Sequence, residues 1–261
     1  LSRAARIARQ HDVDSGFIAA LLRSSVTSFN DRFVRINVTN YAQKTDYSHN
    51  HNDLGVRKVR QFLERYDSLL SAAEERFDVP PEVVAALLWV ETKHGTVLGS
   101  YHVPSVYLSV LLSCEPEYLD LNTNAIMAST GLDSTKYDSV RMAVERRAVK
   151  KVRWAASELA ALAKIAKRGT MDVMALRGSW AGAFGMSQFL PSSYLSWAVD
   201  GNNDGVIDLY TIDDAIFSVA NYLRSNGWGT DLPQKRAAVY HYNNSQAYVD
   251  AVLTLASKAR P

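Results

Sequence analysis

A glutamate near the end of an apolar segment is the clearest candidate for acid–base chemistry in this sequence. The segment 79–95 opens on a pair of prolines, closes on Gly95 and is mostly apolar in between. Pro81 suits the first position of a helix, and Gly95 suits the left-handed position just past the last turn. Glu91 follows Val84 and Leu88 at helical spacing, so the pattern predicts a buried helix with one carboxyl group on an apolar stripe.

Two effects favour a protonated Glu91 near neutral pH. Apolar surroundings disfavour the charged carboxylate, and the negative end of the helix dipole disfavours it again. A carboxyl group that keeps its proton at that pH is what a general acid requires. The alternative is an ordinary glutamate that reaches solvent from the last turn, and periodicity alone does not separate the two.

A second pattern, from Asp200 to Asp208, is typical of a calcium loop. Oxygen-bearing side chains stand at the first, third and fifth positions, glycine at the sixth and aspartate at the ninth, as in an EF-hand. Thr211 stands where the closing glutamate is usual, so Asp213 or Asp214 would have to supply that carboxylate. The ligands predicted for a structural Ca²⁺ are Asp200, Asn202, Asp204, Val206 (through its carbonyl), Asp208 and either Asp213 or Asp214. The alternative is an Asp/Asn/Gly turn without metal.

Several polar residues could contact a ligand or could simply be structural. Gln188 lies in an apolar stretch after small residues at 178, 182 and 185, and it either ties two segments together or contacts a ligand. Tyr222 and the segment 240–244 combine tyrosine with asparagine, which suits stacking and hydrogen bonding to a sugar. The same residues also suit packing and helix capping.

Cysteine and histidine usage argues against other chemistry. Cys114 is the only cysteine, which excludes an intrachain disulfide, and we expect a buried, inert thiol. His49 and His51 are two residues apart but lack a third metal ligand, so we expect a solvated loop. No organic cofactor is expected.

Composition limits the partners. The 261 residues are 47% hydrophobic, and 29 Lys+Arg nearly balance 27 Asp+Glu, so no nucleic acid partner is indicated. The longest apolar run, 83–90, is too short to span a bilayer. Because the chain begins at Leu1, we expect that an export signal or lipid anchor has been removed, and that any membrane contact is through such an anchor.

Hydrophobic spacing predicts a mainly helical chain. A strand is predicted only over Phe33–Val38, and a polar, turn-rich insertion over 114–137. The remaining predicted helices cover 2–26, 53–76, 104–113, 139–167, 214–226, 232–240 and 245–258. The helix 139–167 carries many basic residues, which we interpret as a solvated face, with attraction to an anionic polymer as the alternative.

Several motifs, in order, resemble the lytic murein transglycosylases of the membrane-bound B type, glycoside hydrolase family 103. They are VPPEV at 79–83, VETKHG at 90–95, WAGAFG at 180–185, QFLPSSY at 188–194, AVD at 198–200, SVANYL at 218–223 and YNNS at 242–245. The resemblance covers roughly 29–252 and is dense over 79–99 and 178–245.

The resemblance implies a mainly α, lysozyme-like fold (α+β with little strand) that forms a single catalytic domain over 1–261. Within it we expect an N-terminal helical lobe over 1–78 and a lysozyme-like core over 79–258, with an insertion over 114–170 and a calcium-loop region over 200–214. It further implies a monomer in the periplasm or secreted, acting on the glycan strands of peptidoglycan.

By the family's motif, Glu91 is the single catalytic acid/base. The family's saccharide contacts fall on Ser179, Gln188, Tyr222, Tyr242 and Asn243. In this family the glutamate protonates the glycosidic oxygen between N-acetylmuramic acid and N-acetylglucosamine. It then deprotonates the muramoyl C6 hydroxyl, which closes a 1,6-anhydro ring, so no second carboxylate is required.

The chain departs from the family over 114–153, which is longer than usual, and at Phe184, Met186 and Ser187. An altered groove wall could change the accepted substrate, for instance to deacetylated or unusually crosslinked strands, or admit water and give a lysozyme-type hydrolase. A catalytically silent, calcium-stabilised peptidoglycan-binding protein is the alternative from another class.

Overall fold

The structure is a computed structural model that describes residues 1–39 and 45–260. It confirms a mainly helical fold with little strand. The helices are α1 (Ser2–Gln10), α2 (Ser15–Arg23), α3 (Asp31–Thr39), α4 (Asp53–Arg65), α5 (Asp67–Phe77), α6 (Pro81–Thr92), α7 (Val103–Val110), α8 (Pro116–Thr130), α9 (Tyr137–Arg168), α10 (Pro191–Trp197), α11 (Ile212–Ser225), α12 (Leu232–Tyr242) and α13 (Gln246–Ala259). Short 3₁₀ turns occur at Ser48–His51, Leu111–Cys114, Ser134–Lys136 and Val173–Ala175.

The described residues form two compact units, and both are discontinuous in sequence. The first unit contains residues 1–39, 99–184 and 190–192, and the second contains 45–98, 185–189 and 193–260. The sequence analysis predicted two continuous parts instead, an N-terminal lobe over 1–78 and a core over 79–258. That the chain forms a single catalytic domain stays a prediction. None of the helices in the described residues has the length and apolar content of a membrane span.

The first unit is built around α9, which packs against α3, α7 and α8. Val144 and Ala148 on α9 meet Leu119 and Ile126 of α8 and Val38 of α3 in a small apolar cluster. The unit also contains the described residues' one pair of strands, β1 (Tyr101–His102) and β2 (Arg177–Gly178), which pair antiparallel.

The second unit is built around α6, which packs against α4, α5, α11 and α13. Every residue from Val83 to Leu88 is buried, so this helix is apolar around most of its circumference, as predicted. Pro81 stands in its first turn, where a missing N–H leaves no partner unsatisfied.

The predicted strand 33–38 is wrong, because these residues lie in α3. Phe33, Val34, Asn37 and Val38 are buried, which is a helical repeat rather than an alternation. The β-branched residues favoured a strand locally, but packing of one helical face against α7, α8 and α9 decides the conformation.

The predicted turn-rich insertion over 114–137 is also wrong over most of its length. Pro116 begins α8, and Gly131 ends it in a left-handed conformation. Asn122 and Thr123 are buried on this helix, and the Thr123 hydroxyl donates to the Leu119 carbonyl four residues earlier. Because these buried positions hold polar residues, the sequence does not show the apolar repeat that would predict a helix here.

Two predicted helices are each divided in two. The helix predicted over 2–26 breaks before Asp14, whose side chain accepts a hydrogen bond from the Phe17 amide and caps α2. The helix predicted over 53–76 breaks at Tyr66, between α4 and α5.

Candidate active site

The end of α6 fixes the position of Glu91. The helix closes at Thr92, whose buried hydroxyl donates to the Met186 carbonyl at 2.8 Å and accepts from the Gly95 amide at 3.0 Å. Lys93, His94 and Gly95 then follow with φ of 52°, 55° and 85°. Gly95 is left-handed as predicted, but the turn begins two residues earlier, at residues with side chains.

Glu91 is half-buried as a residue, and its carboxyl group is turned toward the interior of the second unit, where Tyr248 contacts it. Burial raises its pKa to about 7, and the hydrogen bond from Tyr248 and the positive charge of Lys93 act in the opposite direction. The Tyr248 hydroxyl donates to Oε1 of Glu91. Near pH 7 both protonation states are therefore populated, as a group that donates and then accepts a proton requires.

Two further tyrosines, Tyr242 and Tyr47, lie close enough to this carboxyl group for its charge to affect their pKa values. The Tyr242 hydroxyl donates to the Ser187 carbonyl, and burial raises its pKa well above the usual value. The Tyr47 ring meets the Tyr248 ring edge-on at 5.4 Å, and Tyr47 also shares a side-chain hydrogen bond with Asn243. Because these tyrosines are neutral, they can orient Glu91 or a sugar hydroxyl without adding charge.

The side chain of Lys93 is held by Asn50 and Trp89. Its Nζ donates to Oδ1 of Asn50 and to the Trp89 carbonyl at 3.1 Å, and it lies 4.9 Å from the centre of the Trp89 ring. Within the described part of the chain, Lys93 is the one charged side chain that influences the pKa of Glu91. A second carboxylate is not part of this arrangement.

Gln188 ties two segments of the second unit together. It adopts a left-handed backbone (φ 50°), and its side-chain amide donates to the carbonyls of Gly185 at 2.9 Å and Leu98 at 3.3 Å. The sequence left two roles open for Gln188, a tie between segments and a ligand contact. These hydrogen bonds show the tie between segments.

Tyr222 is 5% exposed and packs in an aromatic group with Phe189, Trp197 and Tyr242. Its hydroxyl donates to the His241 carbonyl at 3.0 Å and lies 2.9 Å from Nδ1 of the same residue. Tyr222 therefore supports the ring of Tyr242, at a ring distance of 4.6 Å.

Ser179 lies in the first unit, after β2. Its hydroxyl accepts hydrogen bonds from the amides of Ala181 at 3.3 Å and Ala183 at 3.2 Å. The second unit brings together Glu91, Gln188, Tyr222, Tyr242 and Asn243, so Ser179 is the one predicted contact outside it.

The loop 200–208 has the backbone that an EF-hand loop requires at its glycine, since Gly205 has φ 89°. Asp200 accepts hydrogen bonds from the amides of Asp204 and Gly205, and Asn202 also accepts from Asp204. Within 1–39 and 45–260, no three His, Cys, Asp or Glu side chains converge as a metal site.

Buried Asp214 closes this loop through hydrogen bonds. Its two carboxylate oxygens accept from the amides of Gly201 at 2.7 Å and Asp208 at 2.6 Å. The oxygen atoms available at positions 200, 202, 204 and 206 are of the kind that Ca²⁺ prefers as ligands. The Asp214 carboxylate already accepts hydrogen bonds from backbone amides at both ends of the loop.

Sequence reasoning missed Tyr248, Lys93 and Tyr47. The contact between Tyr248 and Glu91 spans 157 residues, so no local spacing could reveal it. One local signal was available for Tyr248. Ser245 caps α13 and accepts a hydrogen bond from the Tyr248 amide, so the sequence could have placed Tyr248 in the first turn of that helix.

A mainly helical fold that holds a protonatable carboxyl group among tyrosines defines a class of protein suited to acid–base chemistry. The family described as "Transglycosylase SLT domain" matches residues 1–238. The chain belongs to this family.

Among characterised relatives, the membrane-bound lytic murein transglycosylase B of Escherichia coli is 32% identical over 167 residues. The match covers 64% of this chain and 37% of that protein, so the chain spans little more than a third of this relative.

Solved structures share the fold. The E. coli lytic transglycosylase SLT35 in complex with bulgecin A matches with a TM-score of 0.70 and 22% identity, over 98% of this chain and 90% of that one. SltB3 from Pseudomonas aeruginosa in complex with NAG-anhNAM-pentapeptide matches with a TM-score of 0.71 and 20% identity, over 99% and 78%. SLT35 in complex with calcium gives 0.69 and 21%, over 98% and 92%.

Proposed function

We propose that this protein cleaves the β-1,4 bond between N-acetylmuramic acid and N-acetylglucosamine in peptidoglycan without consuming water. The observation that carries the proposal is Glu91, a largely enclosed carboxyl group with a pKa of about 7 and no carboxylate partner among the described residues. Membership of the transglycosylase family and the similarity to a membrane-bound lytic murein transglycosylase of Escherichia coli support the same reaction.

In the proposed mechanism, protonated Glu91 donates its proton to the glycosidic oxygen as the bond to C1 breaks. The Glu91 carboxylate then accepts the proton of the muramoyl C6 hydroxyl, whose oxygen attacks C1 and closes the 1,6-anhydro ring. The first proton leaves on the released hydroxyl of N-acetylglucosamine, and the proton from the C6 hydroxyl restores the acid form of Glu91, so the cycle balances. Two-carboxylate glycosidases need a second group to act as nucleophile or to activate water, and here the substrate supplies the nucleophile.

Tyr248 would hold the carboxyl group in place during both proton transfers. Its hydrogen bond favours the carboxylate, which limits how far burial can raise the pKa of Glu91. A pKa close to the working pH suits a residue that must act first as an acid and then as a base.

We assign saccharide binding to Ser179, Gln188, Tyr222, Tyr242 and Asn243. SltB3 has been solved with NAG-NAM-pentapeptide and with NAG-anhNAM-pentapeptide, which supports peptidoglycan strands as the partner here. A substrate of this kind places the protein in the periplasm or outside the cell, and we expect a monomer.

We also propose that the loop 200–208 binds a structural Ca²⁺. Asp200, Asn202, Asp204 and the Val206 carbonyl would hold it, with Asp208 and Asp214 completing the set. The left-handed Gly205 and the calcium complex of SLT35 support this assignment. The ion would stiffen the loop ahead of α11 and would take no part in bond cleavage.

The test is digestion of purified sacculi, native and chemically deacetylated, with mass spectrometry of the products. Anhydromuramoyl ends are expected, and they are lighter by one water molecule than the reducing ends that a lysozyme-type hydrolase would release. Glu91→Gln should lower the rate at least about a hundredfold, whereas the exposed Glu75→Gln should not. Reducing ends would establish the hydrolase, and undiminished turnover by Glu91→Gln would overturn the acid assignment. Sacculi that are bound but never cut would indicate a binding protein.

A further inference from the structure

The exposed face of α9 has no role in the proposed cleavage. The helix carries nine basic and three acidic residues, a net charge of +6, whereas the whole chain is only +2. Positive charge is therefore concentrated on one helix, and the rest of the chain carries a net charge of −4.

These cations follow one stripe along the helix. Six exposed basic residues are successively 4, 3, 11, 3 and 1 positions apart, and at 3.6 residues per turn all six fall within an arc of about 100° on one side of the helix. The stripe consists of Arg146, Lys150, Arg153, Lys164, Lys167 and Arg168. The distance along the helix axis from Arg146 to Arg168 is about 33 Å.

Ion pairs do not neutralise the stripe within the described residues. Within residues 1–39 and 45–260, none of its six members forms an ion pair. Glu158, the one acid between positions 146 and 168, is 4% exposed and accepts hydrogen bonds from the Ser192 amide and hydroxyl instead. Lys164 and Lys167 line a cavity together with Asp12 and Asp14. In the described part of the chain no acid forms an ion pair with Arg146, Lys150 or Arg153, so solvent ions or an external anionic group must balance these three.

Two exposed apolar side chains accompany the cations. Met142 is 57% exposed one turn before Arg146, and Val149 is 38% exposed one turn before Arg153. A soluble polyanion would use the cations alone. At an anionic bilayer the cations meet lipid phosphates, and adjacent apolar side chains enter the boundary between headgroups and acyl chains.

We propose that the stripe of α9, with Met142 and Val149, is a docking surface for an anionic lipid bilayer. The inference does not depend on the cleavage reaction. It assigns the basic helix to membrane attachment, which would keep the protein close to the lipid surface beside its substrate.

The test is sedimentation of the whole protein with vesicles. Vesicles of phosphatidylcholine with 30 mol % phosphatidylglycerol should bind the protein, and phosphatidylcholine alone should not. Each cation near such a surface contributes about fivefold in affinity, so Arg146→Gln/Lys150→Gln/Arg153→Gln should weaken binding about a hundredfold. Binding should also fall steeply with added NaCl, which tests the unmodified protein.

The matched control removes the same charge from the second unit. Arg57, Lys58 and Arg65 are exposed on α4, and changing all three to Gln should reduce binding less than about fivefold. An equal loss in both triple variants would mean that only net charge matters and would overturn the proposal. Equal binding to neutral vesicles would overturn it as well.

The apolar pair distinguishes a bilayer from a soluble polyanion. Met142→Ser/Val149→Ser should weaken vesicle binding about fivefold and leave binding of inorganic polyphosphate unchanged. If polyphosphate binds as tightly as the anionic vesicles and the apolar substitutions change neither, the surface binds polyanions and not membranes. Circular dichroism of each variant checks that it is folded.

Discussion

At the residue scale, burial that suits Glu91 for acid–base chemistry should also weaken the fold at high pH. The pKa of this carboxyl group rises from 4.5 to about 7 on folding. Between these two values the unfolded chain releases a proton that the folded protein keeps, so stability falls as pH rises from about 4.5 to 7 and is level above. The full effect is about 3 kcal/mol.

Glu91→Gln should remove this pH dependence. As pH rises from 5 to 8, the native protein loses stability and the variant does not. The difference in free energy of unfolding between variant and native protein should therefore change by about 2–3 kcal/mol in favour of the variant. Urea unfolding of both proteins at the two pH values measures the change, with Glu75→Gln as the exposed control. A difference between variant and native protein that stays constant from pH 5 to pH 8 would contradict a buried, protonated Glu91.

Tyr248→Phe tests the hydrogen bond to Glu91. The bond lowers the pKa of Glu91, so its loss should raise that pKa above about 7. The alkaline limb of the pH–rate profile should then move to higher pH, since the protonated acid persists longer, while the rate falls because the carboxyl group is less well held. Tyr47→Phe keeps the Tyr248 hydroxyl and should leave the limb in place. A lower rate with an unmoved limb would mean that Tyr248 only packs.

At the element scale, α6 could be predicted and α3 and α8 could not. The proline at the start of α6, its all-apolar interior and the glycine after it are local signals, and burial of the helix follows from them. In α3 the residues Phe33–Val38 favour a strand by type, and only the helices packed against it select a helix. In α8 the buried Asn122 and Thr123 break the apolar pattern.

The same distinction applies to the site. Glu91 was predictable because its helix, its apolar neighbours and the family motif lie close in sequence. Tyr248 and Lys93 were not, since their roles depend on α13 meeting α6 and on a turn that begins at Lys93 rather than at Gly95. The structural role of Gln188 likewise depends on a partner 90 residues away.

The turn between β2 and α10 depends on close packing at Gly182. This residue has φ 79°, and an added Cβ would lie 2.4 Å from the Tyr107 ring, whose hydroxyl donates to the Gly182 carbonyl. Gly182→Ala should therefore cost about 3 kcal/mol, from backbone strain and overlap together.

Gly131 supplies the control for this prediction. It also has a positive φ, 65°, but nothing lies within 4 Å of an added Cβ. Gly131→Ala should cost only about 1 kcal/mol, the conformational part alone. Thermal unfolding of both variants separates the two contributions, and equal shifts in Tm would show that Tyr107 moves aside without cost.

At the scale of the whole molecule, the second unit contains both the candidate acid and the candidate calcium loop. Asp214 lies in the first turn of α11 and holds the loop through the amides of Gly201 and Asp208. Helix α11 in turn packs against α5 and α6 in the core of this unit. Order in the loop is therefore coupled to the core that supports Glu91.

Calcium should accordingly raise the thermal stability of the protein. An ion that binds only the folded state at 100 times its Kd adds about 2.7 kcal/mol, or about 5–10 °C in Tm for a chain of this size. Calorimetry with Ca²⁺ and then with excess chelator measures the shift. Asp200→Asn/Asp204→Asn should abolish the response, while Asp213→Asn, next to the proposed ligand set, should keep it. Equal Tm values with ion and chelator would mean that Asp214 and the backbone amides order the loop without metal.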